Sequence, residues 1–219
     1  MMKKNIIIIG HGDLGNRLTR ILNDEYKVFH ISRSNKFESS NFIEWDWLSK
    51  EGLNIDAKKI ACVIFFPKPS SMDEKGYING FINSSKNIYR EFCNLPINKF
   101  ISISSTRVYN KQDNKMALES DEIRSEEYRG KIIKEYEELQ ESFYGKKLII
   151  LRLSGLYDAS SKKMPKNFLH RKNAALAIKF FIEKDFDFTD CEIFNCSEDS
   201  AHLSISNKKI KSLGFSFQE

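Results

Sequence analysis

Residues 5–18 constrain this chain more than any other stretch. Ile6, Ile7, Ile8 and Ile9 form an unbroken β-branched run. Such a run is too short for a membrane span and ill-suited to a helix, so it reads as a strand buried on both faces. Gly10, Gly12 and Gly15 follow at once. Where a strand turns straight into a helix, the first glycine allows the tight bend and the second lets backbone approach a pyrophosphate. The third lets the helix lie close to the sheet. A helix over about 13–23 would carry Leu14, Leu18, Ile21 and Leu22 on one face, and its uncapped N–H groups and positive dipole end suit phosphate. Gly10, His11, Gly12, Asp13, Leu14 and Gly15 are therefore the first cofactor-binding candidates, and the pattern predicts a bound dinucleotide.

Strands and helices alternate along the rest of the chain. A second strand over 27–31 ends in Ser32-Arg33. An acidic residue at this point would accept from the ribose 2′-hydroxyl of NAD, whereas arginine accommodates the 2′-phosphate of NADP. Ser32 and Arg33 thus favour NADP, with NAD the lesser candidate. A third strand spans 42–47 and places Asp46 near the adenine. The apolar run 60–66 is a central strand stopped by Pro67-Lys68-Pro69, since proline lacks the ladder donor and biases its neighbour to extended backbone. Phe66 and Pro67 at its carboxyl end join the cofactor-binding candidates. A long helix over about 73–92 follows, with Tyr77, Phe81, Ile88 and Phe92 facing the core. Strand 99–109 turns polar at its carboxyl end, where ligands gather in open α/β sheets. A lysine- and glutamate-rich helix over about 120–143 and a strand over 147–153 continue the alternation, which predicts a doubly wound, mostly parallel α/β sheet with right-handed crossovers. Beyond residue 154 the pattern loosens: a basic loop over 159–166, a short helix over 174–182, a strand over 192–196 and a last helix over 206–213. The chain divides into a dinucleotide-binding region, 1–154, and a small substrate region, 155–219, interspersed with the main fold.

Charge and composition exclude several classes. The net charge of +5 arises from 35 basic and 30 acidic residues, spread rather than massed, so nucleic acid is not expected as a partner. No apolar run approaches the roughly 18 residues of a membrane span and no leader pattern is evident, which points to a cytoplasmic protein without a membrane partner. Cys62, Cys93, Cys191 and Cys196 include no C-x-x-C pair and are expected to be buried, reduced thiols. His11, His30, His170 and His202 lack ligand spacing, and no structural metal is expected.

Five landmarks together resemble the extended, atypical short-chain dehydrogenase/reductases related to nucleoside-diphosphate-sugar epimerases and dehydratases. They are Gly10-His11-Gly12-Asp13-Leu14-Gly15, Ser104-Ser105-Thr106-Arg107-Val108-Tyr109, Leu151-Arg152-Leu153-Ser154-Gly155-Leu156-Tyr157, Asn167-Phe168-Leu169-His170-Arg171, and Ser206 to Ile210 with Leu213-Gly214-Phe215. The resemblance implies a Rossmann fold and casts Ser105 as the catalytic serine that hydrogen-bonds the reacting substrate oxygen. It also implies a Tyr-x-x-x-Lys pair one helical turn apart, in which lysine lowers the phenol pKa and the phenol performs acid/base work.

The sequence departs at that pair. Tyr128 stands in the right neighbourhood, but Ile132 occupies its lysine position. Taking Lys131 as the lysine, with Glu135 as the helix glutamate that follows it in the family, puts Glu127 in the tyrosine slot. Tyr128 and Lys131, three apart, could share a helix face and are the catalytic candidates beside Ser105. Thr106, Arg107, Tyr109, His170 and Arg171 are candidate substrate contacts, and Lys163 and Lys166 further anion-binding candidates. The expected activity is NADP-dependent oxidoreduction or epimerase-like chemistry on a small, anionic or sugar-derived carbonyl or alcohol, with a homodimer possible. The alternative is a cofactor-binding sensor that has lost the catalytic pair.

Overall fold

In the computed structural model, β1 (Lys4–Ile9) is the central strand and is buried on both faces, as its isoleucines require. Residues 3–22, 24–55, 59–109, 116–123, 125–162, 164–199 and 204–218 are described; Lys163 and His202 lie outside them. The chain passes through α1 (Asp13–Ile21) to β2 (Tyr26–Ser32) and β3 (Phe42–Glu44), then returns to β4 (Ile60–Phe65) on the other side of β1. Next come β5 (Phe100–Ser105), β6 (Leu148–Leu153) and, later, β9 (Glu192–Cys196), giving a sheet ordered β3-β2-β1-β4-β5-β6-β9. Every neighbouring pair is parallel. The chain reverses direction across the sheet between β1 and β4, so the crevice outside their carboxyl ends is the topological switch point where ligands bind in such sheets.

The alternation along β1 separates two cores. Ile6 and Ile8 pack with Leu14 and Leu18 of α1 and Ile178 and Phe181 of α5 (Arg171–Glu183). Ile7 and Ile9 face Phe65, Phe81, Phe92 and Tyr136, on the side covered by α3 (Ser84–Phe92) and α4 (Tyr128–Tyr144). The outer edge of β9 is stoppered by side chains. Glu119 Oε1 accepts from the Asn195 N–H at 2.9 Å, and Lys209, on α6 (Lys208–Ser212), donates to the Ile193 carbonyl at 2.9 Å.

Several elements differ from the sequence reading. The third strand stops at Glu44 rather than residue 47, and the fifth stops at Ser105, where Thr106–Val108 form a 3-10 turn. The helix expected from residue 120 begins only at Tyr128, because the preceding polar segment runs across the molecule, where Ala117 bridges to Ile205. The helix expected over 73–92 is α2 (Glu74–Tyr77), a π-helical stretch (Ile78–Asn83) and α3. Within the loosely patterned region a small parallel ribbon, β7 (Gly155–Tyr157) with β8 (Phe168–His170), went unpredicted. Cys62 and Cys196 are buried but Cys93 is exposed, against expectation; all four are free thiols. Among the described residues no helix is long and apolar enough to cross a membrane, and no group of three His, Cys, Asp or Glu side chains could hold a metal ion.

Candidate dinucleotide and active site

The three glycines of the β1–α1 turn each meet a different physical demand. Gly10 has φ +88°, and a Cβ there would stand 2.6 Å from the Phe66 carbonyl, so only glycine permits the turn to cross the end of β4. At Gly15 a Cβ would press on Ile8 at 3.2 Å, at the close contact of helix and sheet. Gly12 is exposed, and its Cβ would meet nothing nearer than the Gly10 carbonyl at 4.0 Å. A side chain at Gly12 would therefore project into open space before α1, whose first turn has no side-chain cap. The backbone amides at this end lack intrahelical acceptors by helix geometry. The turn fits a pyrophosphate.

His11, within the turn, is buried, 6% exposed, and stacks on His30 of β2 with centroids 3.9 Å apart. Neither of its ring nitrogens has a partner. His30 is held on both sides: Nε2 lies 2.8 Å from Thr19 Oγ1, and Nδ1 meets Ser39 Oγ. Thr19 spends its hydroxyl proton on the Gly15 carbonyl, so His30 Nε2 donates to Thr19 and Nδ1 accepts from Ser39. Burial, with His11 beside it, pushes the His30 imidazole down to about 4; burial also lowers His11. Both rings are neutral at pH 7.

At the end of β2, Ser32 Oγ donates to the Ser34 carbonyl at 2.8 Å and Arg33 is exposed. Asp46 Oδ1 accepts from the Leu48 N–H at 3.0 Å, closing a turn after β3. Phe66 N–H donates to the Ile9 carbonyl at 2.9 Å, fixing Phe66 beside the glycine turn, and Pro67 follows, partly buried. Asp13 and Leu14 open α1, with Leu14 packed into the core.

Ser105 ends β5 partly exposed. Its Oγ accepts from the Arg107 N–H at 3.2 Å, a bond that uses a lone pair and leaves the hydroxyl proton for an outside acceptor. Thr106 opens the 3-10 turn, and the exposed Arg107 pairs with Glu127 at 3.5 Å. Tyr109 turns inward: its hydroxyl donates to Asn195 Oδ1 at 2.9 Å and accepts from Arg152 at 2.7 Å. Arg152, 2% exposed, is clamped by Glu137 through both carboxylate oxygens, Nε to Oε1 at 2.9 Å and the second amino group to Oε2 at 2.6 Å. Ser104 donates to the same carboxylate at 2.5 Å. This buried set joins β5, α4, β6 and β9 beneath the carboxyl ends of the strands. The sequence reading passed over it, although a lone arginine in the otherwise apolar strand 148–153 demands a buried partner.

Tyr128 and Lys131 are not brought together at Ser105. Tyr128 opens α4 on the side facing α2, its ring edge-on to Tyr77 at 5.7 Å, and its hydroxyl donates to the Met72 carbonyl at 2.6 Å. Arg129 Nε donates to the same hydroxyl at 3.0 Å. Lys131 is exposed. The glutamate that α4 buries is Glu137, while Glu135 is exposed. Counting back from Glu137 by four and eight along the helix gives Ile133, 2% exposed, and Arg129. An aliphatic side chain thus stands one turn before the buried glutamate.

His170 caps α5, Nδ1 accepting from the Lys172 N–H at 3.2 Å. Arg171, a candidate substrate contact, lies beside the glycine turn: it pairs with Asp13 at 3.3 Å and with Asp158 at 3.4 Å. Lys166 is exposed.

No protein-family model and no curated protein matches this chain. Solved structures do. The UDP-N-acetylglucosamine 4-epimerase of Bacillus cereus superposes with a TM-score of 0.75 at 15% identity, covering 99% of this chain and 94% of its own. The chain shares the fold of UDP-sugar 4-epimerases. A second, the UDP-glucuronic acid 4-epimerase of Bacillus cereus in complex with NAD, gives 0.72 at 17% identity over 90% of this chain and 79% of its own. A third, the UDP-N-acetylglucosamine 4-epimerase of Methanobrevibacter ruminantium in complex with UDP-N-acetylmuramic acid, gives 0.69 at 19% identity over 90% and 77%. The likeness bears on the α/β Rossmann architecture, which the sequence reading anticipated.

Proposed function

We propose that this chain is an NADP(H)-binding, epimerase-like oxidoreductase acting on a small or sugar-derived carbonyl or alcohol. The observation that carries the reading is the glycine turn, where Gly10 permits the crossing at Phe66 and Gly12 leaves the end of α1 open. The nicotinamide would supply or accept the hydride. Asp13 through Gly15 would hold the pyrophosphate on backbone N–H groups, the Gly12 N–H being donated to the Gly10 carbonyl, and Arg33 with Ser32 would take the ribose 2′-phosphate. Ser105 donates its free proton to the substrate oxygen. Tyr128 would be the proton-transfer group only after its phenol leaves the Met72 carbonyl and turns toward the substrate oxygen at Ser105, with the guanidinium of Arg129 at the phenol oxygen in the place of a lysine. Lys131 is then a surface residue.

A second reading, a cofactor sensor without turnover, is favoured by Ile133, an aliphatic side chain one turn before Glu137. Fluorescence titration with NADPH and NADH, followed by NADPH-oxidation assays across sugar and short-chain carbonyls, separates the two. The oxidoreductase reading expects NADPH to bind more tightly than NADH, and Gly12→Val to abolish binding of both. It also expects Tyr128→Phe to cut turnover by about 100-fold or more at unchanged NADPH affinity. Tight NADPH binding without turnover in wild type would move the assignment to the sensor, and Tyr128→Phe turnover equal to wild type would remove Tyr128 from the mechanism.

A further inference from the structure

Four charged side chains beside the glycine turn close into a ring. Asp13 Oδ2 receives Arg17 Nε at 3.0 Å and an Arg171 amino group at 3.3 Å. Asp158 Oδ2 receives an Arg17 amino group at 2.9 Å and forms an ion pair with Arg171 Nε at 3.4 Å. The ring spans three elements: Asp13 and Arg17 on α1, Asp158 just after β7, and Arg171 opening α5. Its members are unequally held. Asp158 is 16% exposed and its other oxygen accepts from the N–H and the hydroxyl of Ser160, whereas Asp13 is 49% exposed. Hydrogen bonds from Ser160, then the two guanidinium groups, hold the Asp158 carboxyl below the usual range.

We propose that this ring is an anion-exchange clasp regulating the dinucleotide site: Arg17 and Arg171 release Asp13, take oxygens of the incoming pyrophosphate, and remain on Asp158. The inference rests on the dinucleotide reading above. A pyrophosphate at the start of α1 competes directly with Asp13, the ring's most solvated carboxylate, because both lie at that first turn. Asp13 can return to water at little cost, since a half-exposed ion pair contributes little, while charge-assisted bonds from arginine to phosphate oxygens are strong. Asp158, anchored by Ser160, stays on the guanidinium groups and fastens the start of the β7–β8 connection to the occupied site.

Three variants test this by calorimetric titration with NADPH and NADH, each checked for an unchanged thermal midpoint. Arg171→Ala is expected to weaken both cofactors by about tenfold, equally, because the pyrophosphate is common to them. Arg33→Ala should weaken NADPH alone. Asp13→Asn, which removes the competing carboxylate, should tighten both by about threefold. Unchanged affinities in Arg171→Ala and Asp13→Asn, with wild type binding normally, would overturn the clasp and leave the dinucleotide reading standing. Failure of wild type to bind either nucleotide would overturn both. Should Arg171→Ala misfold, Arg171→Gln with Asp13→Asn carries the same comparison.

Discussion

His30 is a polar ring held neutral inside the molecule by two hydroxyls and a second imidazole. Protonation would put a donor where Nδ1 now accepts from Ser39 and would place a charge against His11. The folded ring therefore gives up its proton more readily than the unfolded one, whose value is near 6.5, and is pushed down to about 4. Below pH 6.5 the unfolded chain binds the extra proton first, so stability is full above that value and falls as the pH drops toward 4. The loss expected from this one residue is on the order of 2 kcal/mol. Urea unfolding of wild type and His30→Gln from pH 4 to 7 checks it: the variant's stability should fall less steeply over that interval. Residue-scale legibility was uneven. The glycines declared themselves, because each answers a backbone demand. The stack of His11 on His30 did not, since nothing local in the sequence brings residues from a turn and from the next strand face to face.

Elements were legible where apolar periodicity was strong. Each sheet strand up to β6 could be placed from its run of branched or aromatic residues, whereas β7 and β8 are three residues each and carry no alternation to read. The start of α4 was misplaced because a lysine- and glutamate-rich composition suits a helix and an extended polar segment equally. The sequence pattern predicts one continuous helix where the structure has α2, a π-helical stretch and α3, and a loop packs against the π-helical stretch. A Cβ on Gly80 would lie 2.2 Å from the Lys68 carbonyl and 2.5 Å from Pro69 Cα, so the proline-rich loop after β4 rests directly on the helix backbone. Gly80→Ala must push that loop away, and its cost is expected at about 1–3 kcal/mol by urea denaturation. Ordinary helix propensity would instead favour alanine over glycine by about 1 kcal/mol, so a stabilised variant would contradict the packing described here. At the candidate active site, Ser105 was legible as the end of a strand that turns polar. The direction of Tyr128 was not, because helix phase depends on where α4 begins.

Across the whole molecule, the buried set around Arg152 ties together elements far apart in sequence: α4 through Glu137, β5 through Ser104, β9 through Asn195, and Tyr109 beyond the 3-10 turn. Removing one partner leaves a buried charge alone, so Arg152→Met is expected to destabilise the fold by about 3–5 kcal/mol. Glu137→Leu combined with Arg152→Met should recover much of that loss. Chemical denaturation of the single and double variants measures the difference; a double variant no more stable than the single one would show that the pair is not an isolated electrostatic unit.

The far margin of the sheet carries a different implication. With Glu119 occupying the Asn195 amide and Lys209 the Ile193 carbonyl, a strand from another molecule meets one donor and one acceptor of β9 already taken. The last strand is a hem rather than a seam: one carboxylate and one ammonium group must be displaced before the sheet can grow by lateral stacking at that border.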